Sequence, residues 1–440
     1  MKPSVSPGFP GPKAREIVER SEKVLAKSTR LYPLVGVGGE GCYIKDIDGN
    51  TFLDFSSAIA VMNLGYAHPE IAETIREYSS SLVHFAGQDY YNPEQLQLAE
   101  KLAELSPAGM KPVKVFLSNS GTESVEAAYK AVVRSTGKPV AISFIGAFHG
   151  RTLGSLSLTC SKIVHRKGYH PLRPVIHTPY AYCYRCRFKL TYPDCDIWCA
   201  KYIEEVLLST VVSPDDVAFM ALEPVQGEGG YVVGPPEFYQ EIKKICDRNK
   251  IALIDDEVQA GMFRTGEFLG IMNFNITPDV YTLAKALASG IPMGATVLRE
   301  EYSFKDEGAH SNTFGGNILA CAVALKTIEV ILRDKLHDNA RRIGEYILKR
   351  AREWVEQYPL IGDARGLGLM IGVEVVSDKA RKTPGVEERK KLLWECLKRG
   401  LILLPCGLSS FRIAPPLNIT EEEAEAGCNI IEESIKQLLS

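Results

Sequence analysis

The sequence predicts an α/β protein, with a mostly parallel central sheet covered by helices on both faces and a small α+β domain beside it. Two observations carry this. From about residue 66 to 320, short apolar runs of strand length alternate with longer helical stretches, and beyond that the pattern changes. A chain of 440 residues also has room for one large and one smaller domain. The large domain is expected over 66–325 and the small one over 326–440, with residues 1–65 joining the small domain.

The elements follow in order. Ile17, Val18, Val24 and Leu25 lie at near-helical spacing and predict a helix within Lys13–Lys27. Two short strands, Cys42–Asp46 and Thr51–Asp54, flank the turn signal Ile47-Asp48-Gly49-Asn50. Val113–Leu117 reads as a strand leading into a helix over Thr122–Arg134. Val140–Ile145, Val217–Leu222, Ile251–Ile254 and Val280–Leu283 are further strands. Leu367–Val376 reads as a strand of the small domain, and Glu387–Lys398 as a helix stopped by Gly400. The last helix opens at Thr420 with Glu423 three residues on, a capping box.

Composition narrows the functional classes. Hydrophobic residues make up 45%, charged residues 24%, and the formal net charge is -3, so no bulk basic charge points to nucleic acid or an anionic membrane. No apolar run approaches the roughly 20 residues of a membrane span. Met1 to Gly11 lacks the apolar core of a secretory signal, and a cytoplasmic location is expected. Of the 11 cysteines, several, such as Cys42, Cys321 and Cys428, sit in apolar stretches and read as small buried hydrophobes. Four are clustered: Cys183, Cys186, Cys195 and Cys199.

Ligands of open α/β sheets collect at the carboxyl ends of strands, and the chemically interesting residues fall at such ends. Asp255-Asp256-Glu257 closes one apolar run. Three adjacent acids can be a solvated strand end. If one is buried, it can keep a heterocyclic nitrogen protonated, because an opposite charge favours the charged form; Asp256 is the choice. Lys285 closes another apolar run, and a lysine there is usually a surface residue. Its apolar neighbours give a second reading, an amine neutralised by desolvation and fit to act as a nucleophile. Ser120-Gly121-Thr122 lies between a strand and a helix, as a plain capped turn or as a phosphate site. Phe148-His149-Gly150-Arg151-Thr152 offers a ring to stack on a flat heterocycle and a guanidinium to clamp a carboxylate, or else a core Phe beside a solvated Arg.

These residues stand in a telling order. Ser120-Gly121-Thr122-Glu123 and Phe148–Thr152 are followed by Glu223-Pro224-Val225-Gln226-Gly227-Glu228-Gly229-Gly230. Asp256-Glu257-Val258-Gln259-Ala260-Gly261, Arg264-Thr265-Gly266 and Lys285 come next. Thr313-Phe314-Gly315-Gly316-Asn317 and Arg365-Gly366-Leu367-Gly368-Leu369-Met370 complete the series. From about Tyr43 to Pro416 the chain resembles the class III pyridoxal-phosphate aminotransferases, the ω-aminotransferases.

The resemblance implies a fold type I enzyme with pyridoxal 5'-phosphate held by Lys285 as a Schiff base. Asp256 would pair with the pyridinium nitrogen, Gln259 would bond the phenolic oxygen and Phe148 would stack on the ring. Ser120, Gly121 and Thr122 would hold the phosphate, while Thr313 would reach the phosphate of a partner subunit. His149 and Glu223 fall among the expected cofactor neighbours. A homodimer or dimer of dimers with shared active sites is expected.

For substrate, Arg412 matches the family arginine that binds an α-carboxylate, Glu228 the glutamate that neutralises it, and Arg151 the residue that holds a distal carboxylate. Glu228 could instead be a surface acid in a Gly-rich loop. Together these residues imply transfer of an amino group from an ω-amino donor, such as 4-aminobutyrate or ornithine, to 2-oxoglutarate. The alternative is an amino-acid racemase or epimerase of the same family, which needs a second acid/base opposite Lys285; such racemases carry aspartate where this chain has Glu228. Intact Lys285 and Asp256 argue against a catalytically dead binding protein. Ile59, Tyr91 and Leu408 are candidates for lining the entrance.

Cys183-x2-Cys186 and Cys195-x3-Cys199 lie outside what such enzymes need. Free thiols, two disulfides and a four-thiolate structural metal all remain open for them, with free thiols expected first.

Overall fold

The computed structural model describes residues 1–170 and 172–440. Seven strands form the central sheet in the spatial order Val113–Ser118, Gly294–Arg299, Val280–Leu283, Ala252–Asp256, Val217–Leu222, Val140–Phe144 and Val175–Thr178. Gly294–Arg299 runs antiparallel to both neighbours, and every other adjacent pair is parallel. Val217–Leu222 is buried at every position, as a strand covered on both faces must be. Its side chains divide between two cores. Met220 and Leu222 pack with Phe238, Ile242 and Ile245 of the helix Pro236–Asn249. Phe219 and Ala221 pack with Val125, Tyr129 and Val132 of the helix Gly121–Thr136.

A second sheet joins the two ends of the chain. Gly36–Glu40, Tyr43–Asp46 and Thr51–Asp54 form an antiparallel meander, and Leu401–Ile402 adds in parallel to Thr51–Asp54. A third sheet contains Ile361–Leu367, Met370–Asp378, Ser410–Ile413 and Leu404–Cys406. The helix Glu421–Leu439 begins with the expected capping box of Thr420 and Glu423.

Three features differ from the sequence reading. The single strand expected over Leu367–Val376 is a hairpin, in which Leu367 ends one strand and pairs with Met370 at the start of the next. Gly368 makes the turn at φ +51, and a Cβ there would come within 2.6 Å of the Thr265 backbone. An apolar run on both sides of the glycine conceals the reversal. Val175–Thr178 carries no clear strand signal because only Val175 and Ile176 are apolar between Pro174 and Pro179, and Gly294–Arg299 because it begins in a Gly- and Pro-rich stretch. Ser57 to Ala60 form a left-handed turn, with φ between 47 and 68 at four consecutive non-glycine residues. Such strain persists only where the surroundings enforce it and gathers near functional sites. Among the described residues, no helix is long and apolar enough to cross a membrane.

Candidate active site

A cavity of about 460 Å³ opens at the carboxyl ends of five strands of the central sheet. Asn119–Thr122 follow Val113–Ser118, Phe148–Arg151 follow Val140–Phe144, and Glu223 follows Val217–Leu222. Asp256 ends Ala252–Asp256, and Lys285 lies two residues past Val280–Leu283.

The whole acidic triplet is buried, not one member alone: Asp255, Asp256 and Glu257 are 0%, 5% and 1% exposed. Strand alternation sends Asp256 into the cavity and its neighbours to the other face. Burial pushes Asp255 and Glu257 up, Glu257 to about 7. Asp256 accepts from His149 Nδ1 at 2.7 Å, from the Val258 amide at 3.1 Å and from Thr282 Oγ1 at 3.4 Å. Burial works against a charged His149, but the hydrogen bond and charge of Asp256 outweigh it and raise its pKa. His149 Nε2 is buried with no partner among the described residues. Glu223 accepts from the Phe148 amide at 2.8 Å and the Gly227 amide at 2.9 Å. Burial, opposed by His149 and reinforced by Asp256, pushes its carboxyl up to about 7.

Lys285 adopts a left-handed φ of 38. It stands half-buried in the cavity wall, and desolvation pushes its ammonium down despite the pull of Asp256, Glu223 and Glu228 in the other direction. The amine is therefore easier to deprotonate than a surface lysine.

Ser120 caps the helix Gly121–Thr136, accepting from the Glu123 amide at 3.4 Å. The first amides of this helix of 16 residues have no intrahelical acceptor and border the cavity. A Cβ on Gly121 would meet Val258 Cγ1 at 2.7 Å, so the close approach requires glycine. Thr122 Oγ1 joins Thr152 and Ser155 hydroxyls at 2.8 and 2.6 Å. Phe148 lines the cavity, with the Arg151 guanidinium 5.7 Å from its ring centroid.

Gln259 links this floor to a charged rim. Its Oε1 accepts from Tyr231 at 2.9 Å and from Arg412 Nη1 at 3.3 Å. Arg412 Nη2 donates to Glu228 at 2.8 Å and to the Pro405 carbonyl at 2.9 Å. Lys162 lies 3.2 Å from the other Glu228 oxygen. Burial pushes Glu228 up, but Arg412 and Lys162 outweigh it and hold the carboxyl at about 2. The surface-acid reading of Glu228 is thus replaced by a paired one.

The remaining candidates lie elsewhere. Thr313, Ile59, Tyr91 and Leu408 are exposed and none lines this cavity. Arg151 does line it, and pairs with no carboxylate among the described residues. Lys162 and Tyr231 were missed in sequence; Tyr231 directly follows the Gly-rich Glu228 loop, the one local signal available. Cys183, Cys186, Cys195 and Cys199 line a separate small cavity as free thiols. Among the described residues, no group of three or more such donors is arranged to hold a metal.

The chemistry of the cavity suits one kind of ligand. Free helix amides and Gly121 fit a phosphate. A buried carboxylate, held by His149, fits a cationic heterocycle, and a desolvated amine fits an aldehyde. Pyridoxal phosphate has these three features.

Comparison with known proteins agrees. The model of the family "Aminotransferase class-III" matches residues 24–435. The alanine/serine racemase of Pyrococcus horikoshii is 38% identical, over 98% of this chain and 92% of its own. The leucine/methionine racemase of Thermococcus litoralis is 36% identical, over 96% and 95%. The acetylornithine aminotransferase of Archaeoglobus fulgidus is also 36% identical, over 94% and 99%. A thermostable (S)-enantioselective ω-transaminase from Thermomicrobium roseum superposes with a TM-score of 0.89 at 30% identity, covering 97% of this chain and 99% of that one. The fold is that of the fold type I aminotransferases. The chain belongs to the class III aminotransferase family, whose members depend on pyridoxal phosphate and include both racemases and aminotransferases.

Proposed function

We propose that this protein binds pyridoxal phosphate and moves the proton on Cα of a free amino acid, with racemisation of a neutral α-amino acid as the leading reading. The observation that carries the choice is similarity along nearly the whole chain to two racemases, at 38% and 36% identity. Lys285 would anchor the cofactor through its ε-amine, Asp256 would face the ring nitrogen, and Gln259 would donate from Nε2 to the ring oxygen. Phe148 would cover the ring, and Ser120, Gly121 and Thr122 would hold the phosphate. When bound, pyridoxal phosphate supplies the electron sink that makes Cα–H acidic. Lys285, its pKa lowered by desolvation, takes the proton from Cα.

Racemisation needs a second proton carrier on the opposite face, and Glu228 is the candidate. While Arg412 holds Glu228, the carboxyl stays near 2 and makes a poor proton donor. When the substrate's α-carboxylate takes Arg412, Glu228 loses its largest charge partner and its proton affinity rises. The same substrate thus provides both the anchor and the release.

The second reading is amino transfer from an ω-amino donor to 2-oxoglutarate. The Glu228–Arg412 pair favours it, because a glutamate that neutralises Arg412 admits donors without an α-carboxylate. Arg151 would then hold the distal carboxylate. Thr313, outside the cavity of its own chain, would reach a phosphate only in a second copy, which is the ground for proposing a two-fold dimer or a dimer of dimers.

The test incubates cofactor-loaded protein with single L-amino acids, with and without 2-oxoglutarate. D-amino acid formed without the keto acid supports racemisation. Glutamate formed only with it supports transfer. Neither product from any amino acid overturns both.

A further inference from the structure

Arg365 belongs to a motif of the sequence to which no part in the chemistry has fallen, and it sits beside Glu374, which no sequence pattern marks. Glu374 is 1% exposed and accepts five hydrogen bonds. Its Oε1 accepts from Arg185 Nε and Ser409 Oγ, each at 2.8 Å. Its Oε2 accepts from Tyr182 at 2.6 Å, Arg365 Nη2 at 3.1 Å and Ser410 Oγ at 2.5 Å. A carboxylate this deeply buried stays charged only when so fully paired. Burial pushes it up, but Arg365, the Ser410 and Tyr182 hydroxyls and Arg185 outweigh it and hold it at about 2.

Arg365 reaches further. Nη2 also donates to the Gly230 carbonyl at 2.6 Å and to Ser410 Oγ at 2.9 Å, while Nη1 donates to Asp363 at 2.8 Å. The Tyr182 ring lies 4.8 Å below its guanidinium. Gly230 follows Glu228 by two residues, and Ser410 precedes Arg412 by two on the same strand face. In the sheet, Glu374 lies opposite Ser410 and Gly372 opposite Arg412. The loop that carries Glu228 and the strand that carries Arg412 are therefore both tied to one buried ion pair that touches neither residue. A Cβ on Gly230, at φ +129, would come within 3.1 Å of Arg365 Nη2, so the approach of loop to arginine uses a glycine.

We propose that Arg365 and Glu374 are positioning residues for the amino acid's carboxylate: by fixing loop against strand they set the separation of Glu228 and Arg412, and with it the affinity of Arg412 for substrate. This rests on the reading of Arg412 as the carboxylate-binding residue. Tyr182 and Arg185, at the start of the four-cysteine segment, donate to the Glu374 carboxylate and anchor that segment to it.

The experiment uses the cofactor-loaded protein and two probes, L-alanine and L-glutamate, each titrated against the absorbance of the bound cofactor, with KM and kcat measured beside it. Glu374→Gln removes the charge at constant shape, and Ser410→Ala removes one strand tie at constant charge. For Glu374→Gln, the apparent Kd and KM are expected to rise about ten- to a hundredfold, with kcat within about threefold and the cofactor band unchanged. For Ser410→Ala the rise is about threefold. Arg412→Ala is the control. If it weakens binding while Glu374→Gln and Ser410→Ala leave Kd unchanged, the positioning role is overturned and the carboxylate site stands. If Arg412→Ala itself leaves Kd unchanged, the carboxylate site falls and takes the positioning role with it. Parallel loss of kcat and cofactor in Glu374→Gln also overturns it, since that marks general damage. If Glu374→Gln does not fold, Ser410→Ala decides by the same criterion.

Discussion

The cavity floor and its charged rim handle buried charge in opposite ways. On the floor, Glu223 and Lys285 lack full ionic compensation, and burial moves both toward neutrality: Glu223 up to about 7 and Lys285 down. On the rim Glu228 is matched by Arg412 and Lys162, and behind it Glu374 by arginines and hydroxyls, and both are held at about 2. Groups poised near neutral pH exchange protons, whereas groups pinned far from it hold charge and shape. The difference teaches which groups can exchange protons before substrate arrives and which, like Glu228, hold charge until the partner that pins them is taken.

The comparison breaks first at Asp256. Asp256→Asn keeps the hydrogen-bonding shape beside His149 but removes the buried anion, and kcat is expected to fall about 10²-fold or more. Steady-state kinetics on cofactor-saturated protein check this; a kcat within about threefold of the parent would remove the floor's charge from the account. On the rim, Arg412→Ala is expected to raise KM about ten- to a hundredfold while cofactor affinity holds, since the loss falls on the substrate carboxylate.

Stability against pH sharpens the contrast, because the signs are opposite. Glu374 drops from an ordinary 4.5 to about 2, so the stability it contributes is present above 4.5 and lost as pH falls toward 2. The shift corresponds to on the order of 3 kcal/mol. The melting-temperature gap between the parent and Glu374→Gln should be wide at neutral pH and close in acid. Glu223 rises from 4.5 to about 7, so its contribution is present below 4.5 and lost as pH rises through 7. Glu223→Gln should therefore gain on the parent between about pH 5 and pH 8, and a gap that moves the other way would contradict the floor's assignment.

The smallest effect is expected away from both regions. Cys195 is one of four free thiols beside a separate cavity, and Cys195→Ser should leave kcat/KM within about twofold. A larger loss would tie that segment to the chemistry directly.

What was legible in the sequence divides along the same line. Val217–Leu222 and Val280–Leu283 match the expected strands residue for residue, the first as an unbroken apolar run between Asp216 and Glu223, the second as mostly β-branched and aromatic residues following Asp279. The floor residues were legible because each follows such a run, and position at a strand's carboxyl end is a local property. The burial of all three acids at 255–257 was not, since it depends on what packs over them. The rim was half legible. Glu228 and Arg412 stand out through family resemblance, but Lys162 and Glu374 do not, because the partners that define them lie 66 residues away for one and between 9 and 192 for the other. The hairpin at Gly368 was hidden because the apolar pattern continues through its turn.

The central claim is that the Lys285 amine, eased toward neutrality by its surroundings, carries the Cα proton. Lys285→Ala, loaded with excess pyridoxal phosphate and assayed in ordinary water for replacement of deuterium by a solvent proton at Cα of a Cα-deuterated amino acid, tests it most directly. The account predicts an exchange rate lower by about 10²- to 10⁴-fold and a cofactor that dialysis removes. Exchange at the parental rate, or a cofactor retained through dialysis, would contradict it.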